Sequence, residues 1–176
     1  MHETPDDLAE LQGLLDRSFA RAGSHLLSIF DPSRRLDAAQ LSEILSGVRV
    51  LNLATVTASG EPRVGPVDGH FHRGRWYFGS SPDSVRFKHI RARPAVSAAH
   101  TVGEELAVVV HGTAAVLDMS FPAEAGLRAQ LMETYGTDPA FVDYLRKREM
   151  GWDGWFAGAL YARIDAQKMF TFSSGK

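Results

Sequence analysis

The stretch Gly79-Ser80-Ser81-Pro82-Asp83-Ser84-Val85-Arg86-Phe87-Lys88-His89-Ile90-Arg91-Ala92-Arg93-Pro94 concentrates the side chains best suited to bind an anion. Small hydroxyl residues close an apolar strand, and a helix is expected to start at once, with Ser81 as its N-cap and Pro82 in its first position. A helix start presents unpaired N–H groups and a partial positive charge, which suits a phosphate. Arg86, Lys88, His89, Arg91 and Arg93 then follow within eight residues. On a helical wheel Arg86, His89 and Arg93 share one side and Lys88 and Arg91 another, with Phe87 and Ile90 between them. Two basic rows point to two uses of the helix. A single solvated basic surface is the competing reading.

Other residues invite chemistry less strongly. His70 and His72 lie two apart, on one face of a strand, and two imidazoles make only an incomplete metal site. No metal is therefore assigned. His111, beside Gly112, reads as an ordinary strand histidine. Trp152 and Trp155 could stack on a planar ligand, but packing over the end of a barrel is the simpler use of them. No glycine-rich dinucleotide fingerprint, Walker sequence, nucleophile elbow or His-Glu-x-x-His motif is present. With no cysteine, disulfides, thiolate metal sites and a thiol nucleophile are excluded together.

The elements that must position these residues can be read from periodicity. Leu8, Leu11, Leu14, Leu15 and Phe19 repeat every three or four residues, after a Thr4 cap with Pro5 in the first turn. Apolar content continues through Leu26, Leu27, Ile29 and Phe30 until Asp31-Pro32 interrupts it. A short helix is expected from Asp37 to Ser46. Strands are expected at 48–58, 63–71, 76–78, 95–101 and 106–118, several joined by tight turns such as Ser59-Gly60-Glu61-Pro62. Two helices follow, one capped by Ser120 and one opened by Asp138-Pro139. Trp152 to Trp155 reads as irregular. Strands at 157–164 and 168–172, parted by Asp165-Ala166-Gln167, close the chain. Tight turns rule out a parallel sheet, because parallel pairs need long crossovers. The expected fold is mainly β (α+β): an antiparallel sheet, of five or six strands joined mostly by tight turns, closed into a small barrel with flanking helices.

The chain has 176 residues, with 19 Lys plus Arg against 21 Asp plus Glu, for a net charge of -2. Such a balance gives no general attraction to nucleic acid. Apolar runs fall far short of the roughly 20 residues that span a bilayer, so no membrane partner is expected. The acidic start, Met1 to Asp7, resembles neither a signal peptide nor an anchor. A cytoplasmic location is the resulting expectation. Residues 1–36 read as a helical extension packed on a barrel domain of residues 37–176.

Five weak motifs in order carry a resemblance. They are Leu51-Asn52-Leu53-Ala54-Thr55-Val56, Gly60-Glu61-Pro62-Arg63-Val64-Gly65-Pro66-Val67, Trp76-Tyr77-Phe78-Gly79-Ser80-Ser81, Arg86 to Ser97, and Val110-His111-Gly112-Thr113-Ala114. Their order and spacing resemble the flavin-binding split-barrel family related to pyridoxamine 5'-phosphate oxidase. The resemblance implies a six-stranded antiparallel split barrel, acting as a homodimer with FMN, or a deazaflavin of the F420 type, at the dimer interface. It also implies roles for ten residues. Arg63, Val64, Gly65, Pro66 and Val67 would lie along the ring, with Arg63 or the backbone near Val64 at its polar edge. Gly79, Ser80 and Ser81 would meet the ribityl chain or phosphate. Arg86 stands where the family usually has a phosphate-binding Lys, with Lys88 two residues on. The Arg-Leu-containing tail of true pyridoxamine phosphate oxidases has no counterpart in Met169 to Lys176, so that substrate is not carried over.

The expected function is a flavin-dependent oxidoreductase acting on a small molecule, with no catalytic residue assigned. A deazaflavin-dependent reductase is one alternative, because Lys88, Arg91 and Arg93 suit a longer acidic tail. A non-enzymatic flavin- or haem-binding module is the other, with His70, His72, His100 and His111 as conceivable haem contacts.

Overall fold

The computed structural model describes residues 2–175, so Met1 and Lys176, parts of the terminal segments read above, lie outside it. Helix α1 (Pro5–Ala20) starts at a Thr4 capping box closed by Asp7, as the sequence predicts. Burial, opposed and outweighed by hydrogen bonds from Thr4 and by Arg73, leaves the Asp7 carboxyl below its usual range. Helix α2 (Ser24–Ile29) is a separate short helix, and α3 (Ala38–Ile44) is capped by Asp37.

Six strands follow: β1 (Val48–Val56), β2 (Pro62–His72), β3 (Arg75–Ser80), β4 (Ala95–Val102), β5 (Leu106–Leu117) and β6 (Leu160–Ser173). They close into an antiparallel barrel of order β1-β2-β3-β6-β5-β4. Side chains alternate across each strand, so Leu51, Leu53, Phe71, Trp76, Phe78, Val108, Val110, Ile164 and Met169 point into one buried core. Helix α4 (Val85–Ala92) adds Phe87 and Ile90 to that core, and α1 adds Leu11 and Leu15. Between β5 and β6 the chain forms α5 (Ala125–Gly136), α6 (Pro139–Lys147) and α7 (Trp152–Gly158). The inner faces of α5 and α7 join Tyr77 and Tyr161 in a second apolar cluster with Leu127, Leu131 and Phe156.

The structure corrects four local expectations. Helix α4 starts at Val85 with Ser84 as its cap, because Pro82 and Asp83 are taken up by a turn closed from Ser84 N to Ser81 O at 3.0 Å. Ser120 caps no helix; its N–H and hydroxyl both bond Asp118, and a 3-10 turn at Pro122–Glu124 precedes α5. Residues Trp152 to Trp155 are helical, the first turn of α7. The closing strands are one strand of 14 residues. Gln167 has no partner in the register, where His111 pairs with Lys168 and Gly112 with Ala166. A bulge therefore produced the apparent break. A Cβ on Gly112 would stand 2.2 Å from the Asp165 carbonyl oxygen, so only glycine fits beside this kink.

Candidate functional site

Strand β2 is paired unequally on its two edges. Residues 62 to 70 pair with β1, but only Gly69 to His72 pair with β3. The edge of residues 62–68 away from β1 is thus without a strand partner. Pro66 shows which residues use it. Its carbonyl accepts a hydrogen bond from Arg86 Nη2 at 3.3 Å, instead of one from β1. In an extended strand the N–H and C=O of one residue point to the same side, and alternate residues point to opposite sides. Val64 and Asp68 therefore share the free edge with Pro66, while Arg63, Gly65 and Val67 face β1. Proline at 66 costs no ladder bond for the same reason.

Arg63, Val64, Gly65 and Arg86 come together, with Leu53, Thr55, Thr57, Val85 and His89, around an open cavity of about 320 Å³. Gly65 leaves room for the guanidinium: a Cβ there would meet Arg86 Nη2 at 3.2 Å. Burial holds the Arg86 pKa below its ordinary value, though a guanidinium remains charged. Arg63 is exposed and pairs with Glu61 at 2.8 Å. Val64 is among the most exposed apolar residues, at 73%.

The two basic rows of α4 are put to different uses. Arg86 reaches Pro66, His89 Nδ1 hydrogen-bonds Thr55 Oγ1 at 2.9 Å, and Arg93 Nε donates to Val56 O at 3.2 Å. This row fastens the helix to β1 and β2. Lys88 and Arg91 face solvent. Gly79, Ser80, Ser81 and Lys88 do not line the cavity, and neither do Pro66 and Val67. Ser80 and Ser81 stand at the end of β3, where Ser80 pairs with Leu160 and Ser81 is exposed. Gly79 lies against Tyr161, whose ring would be 2.8 Å from a Cβ at that position.

The remaining candidates have other partners. His70 Nε2 contacts Tyr135 Oη at 3.1 Å, and His72 Nδ1 contacts Gln130 Oε1 at 2.5 Å. Among the described residues no three His, Cys, Asp or Glu gather to hold a metal ion. His100 is buried and bonds the Val50 carbonyl, and His111 bonds Ser97. Trp152 and Trp155 pack on Phe141, at 5.5 and 5.0 Å between ring centroids, and Trp155 Nε1 donates to Tyr161 Oη at 3.2 Å. Sequence reasoning missed Thr55, Thr57 and His89 as cavity-lining residues. The helical wheel, which put His89 in the Arg86 row, held the signal for one of them.

Residues 38–151 match the family described as Pyridoxamine 5'-phosphate oxidase. The chain belongs to that family. Solved structures agree at the level of the fold. The conserved hypothetical protein Rv2991 from Mycobacterium tuberculosis is 19% identical with a TM-score of 0.63, over 81% of this chain and 88% of that one. A FAD-binding protein from Mesorhizobium loti is 22% identical with a TM-score of 0.53, over 78% and 95%. A structure described as F420 Reductase is 16% identical with a TM-score of 0.51, over 73% and 93%. No curated protein matches the chain in sequence.

Proposed function

We propose that this pyridoxamine 5'-phosphate oxidase family member is a flavin-dependent oxidoreductase acting on a small molecule, with FMN as its cofactor. The observation that carries the reading is the free edge of β2. It offers backbone groups of Val64, Pro66 and Asp68 beside a cavity that holds one half-buried cation, Arg86. A planar ring with donors and acceptors along one side suits such an edge, and a phosphate suits the guanidinium. Bound there, a flavin supplies the redox chemistry. The chain's own residues bind it, orient it and shield one side. Thr55 and Thr57 are the hydroxyls on the cavity itself, and Ser80 and Ser81, at the end of β3, are those assigned to the ribityl chain by the family resemblance. No side chain is assigned a proton-transfer step.

The reading includes a second copy of the chain. Outward positions on β1, β4, β5 and the first half of β2 include Val50, Asn52, Ala54, Val64, Pro66, Ser97, Ala99 and Val109, none of them charged. Pairing aligns Pro66, Asn52, Ala99 and Val109 in one row across four strands. A flat uncharged face of small residues beside the cofactor edge suits a copy of itself, which would cover the ring's other side.

A second reading, a deazaflavin of the F420 type, is favoured by Lys88 and Arg91, which stay in solvent and could meet a longer acidic tail. Titration of the full chain with FMN and with F420, followed by ligand fluorescence, separates the two. Arg86→Ala is expected to weaken FMN binding at least tenfold, from the loss of a charge-assisted contact of about 1.5–3 kcal/mol. Lys88→Ala is expected to affect F420 alone. An unchanged FMN titration for Arg86→Ala would remove α4 from the site.

A further inference from the structure

Asp68 is the next outward residue after Pro66 on β2, one strand repeat of about 7 Å further along. It is exposed and makes no ion pair among the described residues. It accepts a hydrogen bond from Tyr135 Oη at 3.1 Å, and the same phenol oxygen lies 3.1 Å from Nε2 of buried His70. A phenol has one proton. If Tyr135 gives it to the carboxylate, which can only accept, then His70 must donate Nε2–H to the phenol oxygen. The remaining ring nitrogen, Nδ1, is buried without a partner. As a bare lone pair it costs less there than an orphaned N–H would. The chain thus runs one way, from His70 through Tyr135 to Asp68. Burial, only partly offset by Asp68, holds the His70 pKa down to about 4, so this donor stays neutral.

We infer that Asp68 is the charge that poises the cofactor site to give electrons, with Tyr135 and His70 as the residues that position it. The inference rests on the reading that a flavin or deazaflavin ring lies along Arg63 to Val67. Asp68 does not line the cavity itself; its carboxylate, one strand repeat beyond Pro66, acts on that ring through space, where a negative charge disfavours added electron density and lowers the reduction potential. Arg63 offsets little of this, because Glu61 already pairs with it. The reaction class that results is hydride transfer from the reduced ring to a substrate, the ring being reduced beforehand by an external two-electron donor of the reduced-nicotinamide class or, for a deazaflavin, arriving already reduced.

The test uses the full chain loaded with FMN or with F420, whichever the wild type takes up, and reads the reduction potential by dye equilibration. Asp68→Asn is expected to raise the potential. Tyr135→Phe is expected to lower it, since the carboxylate then keeps its undamped charge. A merely structural contact would give no such opposite pair. In the ligand-free protein, Asp68→Asn is also expected to ease ionisation of the Tyr135 phenol, followed by ultraviolet titration, because burial first and Asp68 second hold that pKa up. Uptake of cofactor without opposite shifts overturns this inference and leaves the binding reading standing. Failure of the wild type to take up either cofactor overturns both. If Asp68→Asn does not fold, Tyr135→Phe alone decides by the sign of its shift.

Discussion

His70 shows how one buried side chain couples the site to stability. The unfolded chain titrates this imidazole near 6.5 and the native protein near 4, because burial penalises the cation more than Asp68 favours it. Between those values the unfolded chain binds the extra proton, so stability rises with pH across the window. It is complete above about pH 6.5 and falls on acidification until about pH 4, where both states are protonated. A shift of that size is worth on the order of 3 kcal/mol. His72, also held down chiefly by burial, adds in the same direction. Urea unfolding at several pH values is expected to show this slope, and His70→Asn, whose shorter amide also gives up the donor toward Tyr135, to flatten it. A His70→Asn protein with the wild-type slope would mean that other groups control acid sensitivity.

At the scale of elements, Ser84 and not Ser81 holds the start of α4, and the two serines can be told apart. Ser84 accepts the Phe87 N–H, so Ser84→Ala is expected to cost about 1 kcal/mol of stability in a denaturant melt. Ser81→Ala is expected to leave the melt within about 0.5 kcal/mol of wild type and to weaken cofactor binding instead. A stability loss at Ser81 would restore the cap that the sequence suggested. That misreading is instructive. Ser-Pro is a strong helix-start signal, but a turn uses it equally well, and only the hydrogen bond from Ser84 N to Ser81 O distinguishes them. The bulge at Gln167 misled for a similar reason: an unpaired residue interrupts periodicity as a loop does. What was legible followed alternation and tight turns, which set an antiparallel sheet and its closure, while the count of six strands came with the family resemblance. The two basic rows of α4 were legible too, because helical spacing alone separates Arg86, His89 and Arg93 from Lys88 and Arg91. The free edge of β2 was not legible. It depends on where β3 stops pairing, a property of the partner strand that the sequence of β2 does not carry.

At the scale of the molecule, the outside of the barrel divides into three sectors. Helices α1 and α2 lie over β6, where Phe19 and Phe30 pack on Phe170. Helices α5 and α7 cover the end of β2, β3 and the start of β6, through Tyr135, Leu127 and Phe156, and α6 packs on them through Phe141. The third sector, on β1, β4, β5 and the start of β2, meets a helix only at its margin, where α4 reaches Pro66 through Arg86, and its outward residues are the uncharged ones. Val50 and Val64 stand there 58% and 73% exposed. Apolar side chains so open, on a surface where charge is otherwise plentiful, favour association over solvation. Ala99 sits in the middle row of this sector and points away from the core. Arginine there would be solvated in a single chain and buried without a partner between two. Ala99→Arg is therefore expected to leave the fold intact, to convert a dimer to a monomer in sedimentation equilibrium, and to lose cofactor binding along with it. A wild-type monomer, or a dimeric Ala99→Arg protein, would place the partner elsewhere. A monomeric variant that still binds FMN fully would show that one chain supplies the whole site.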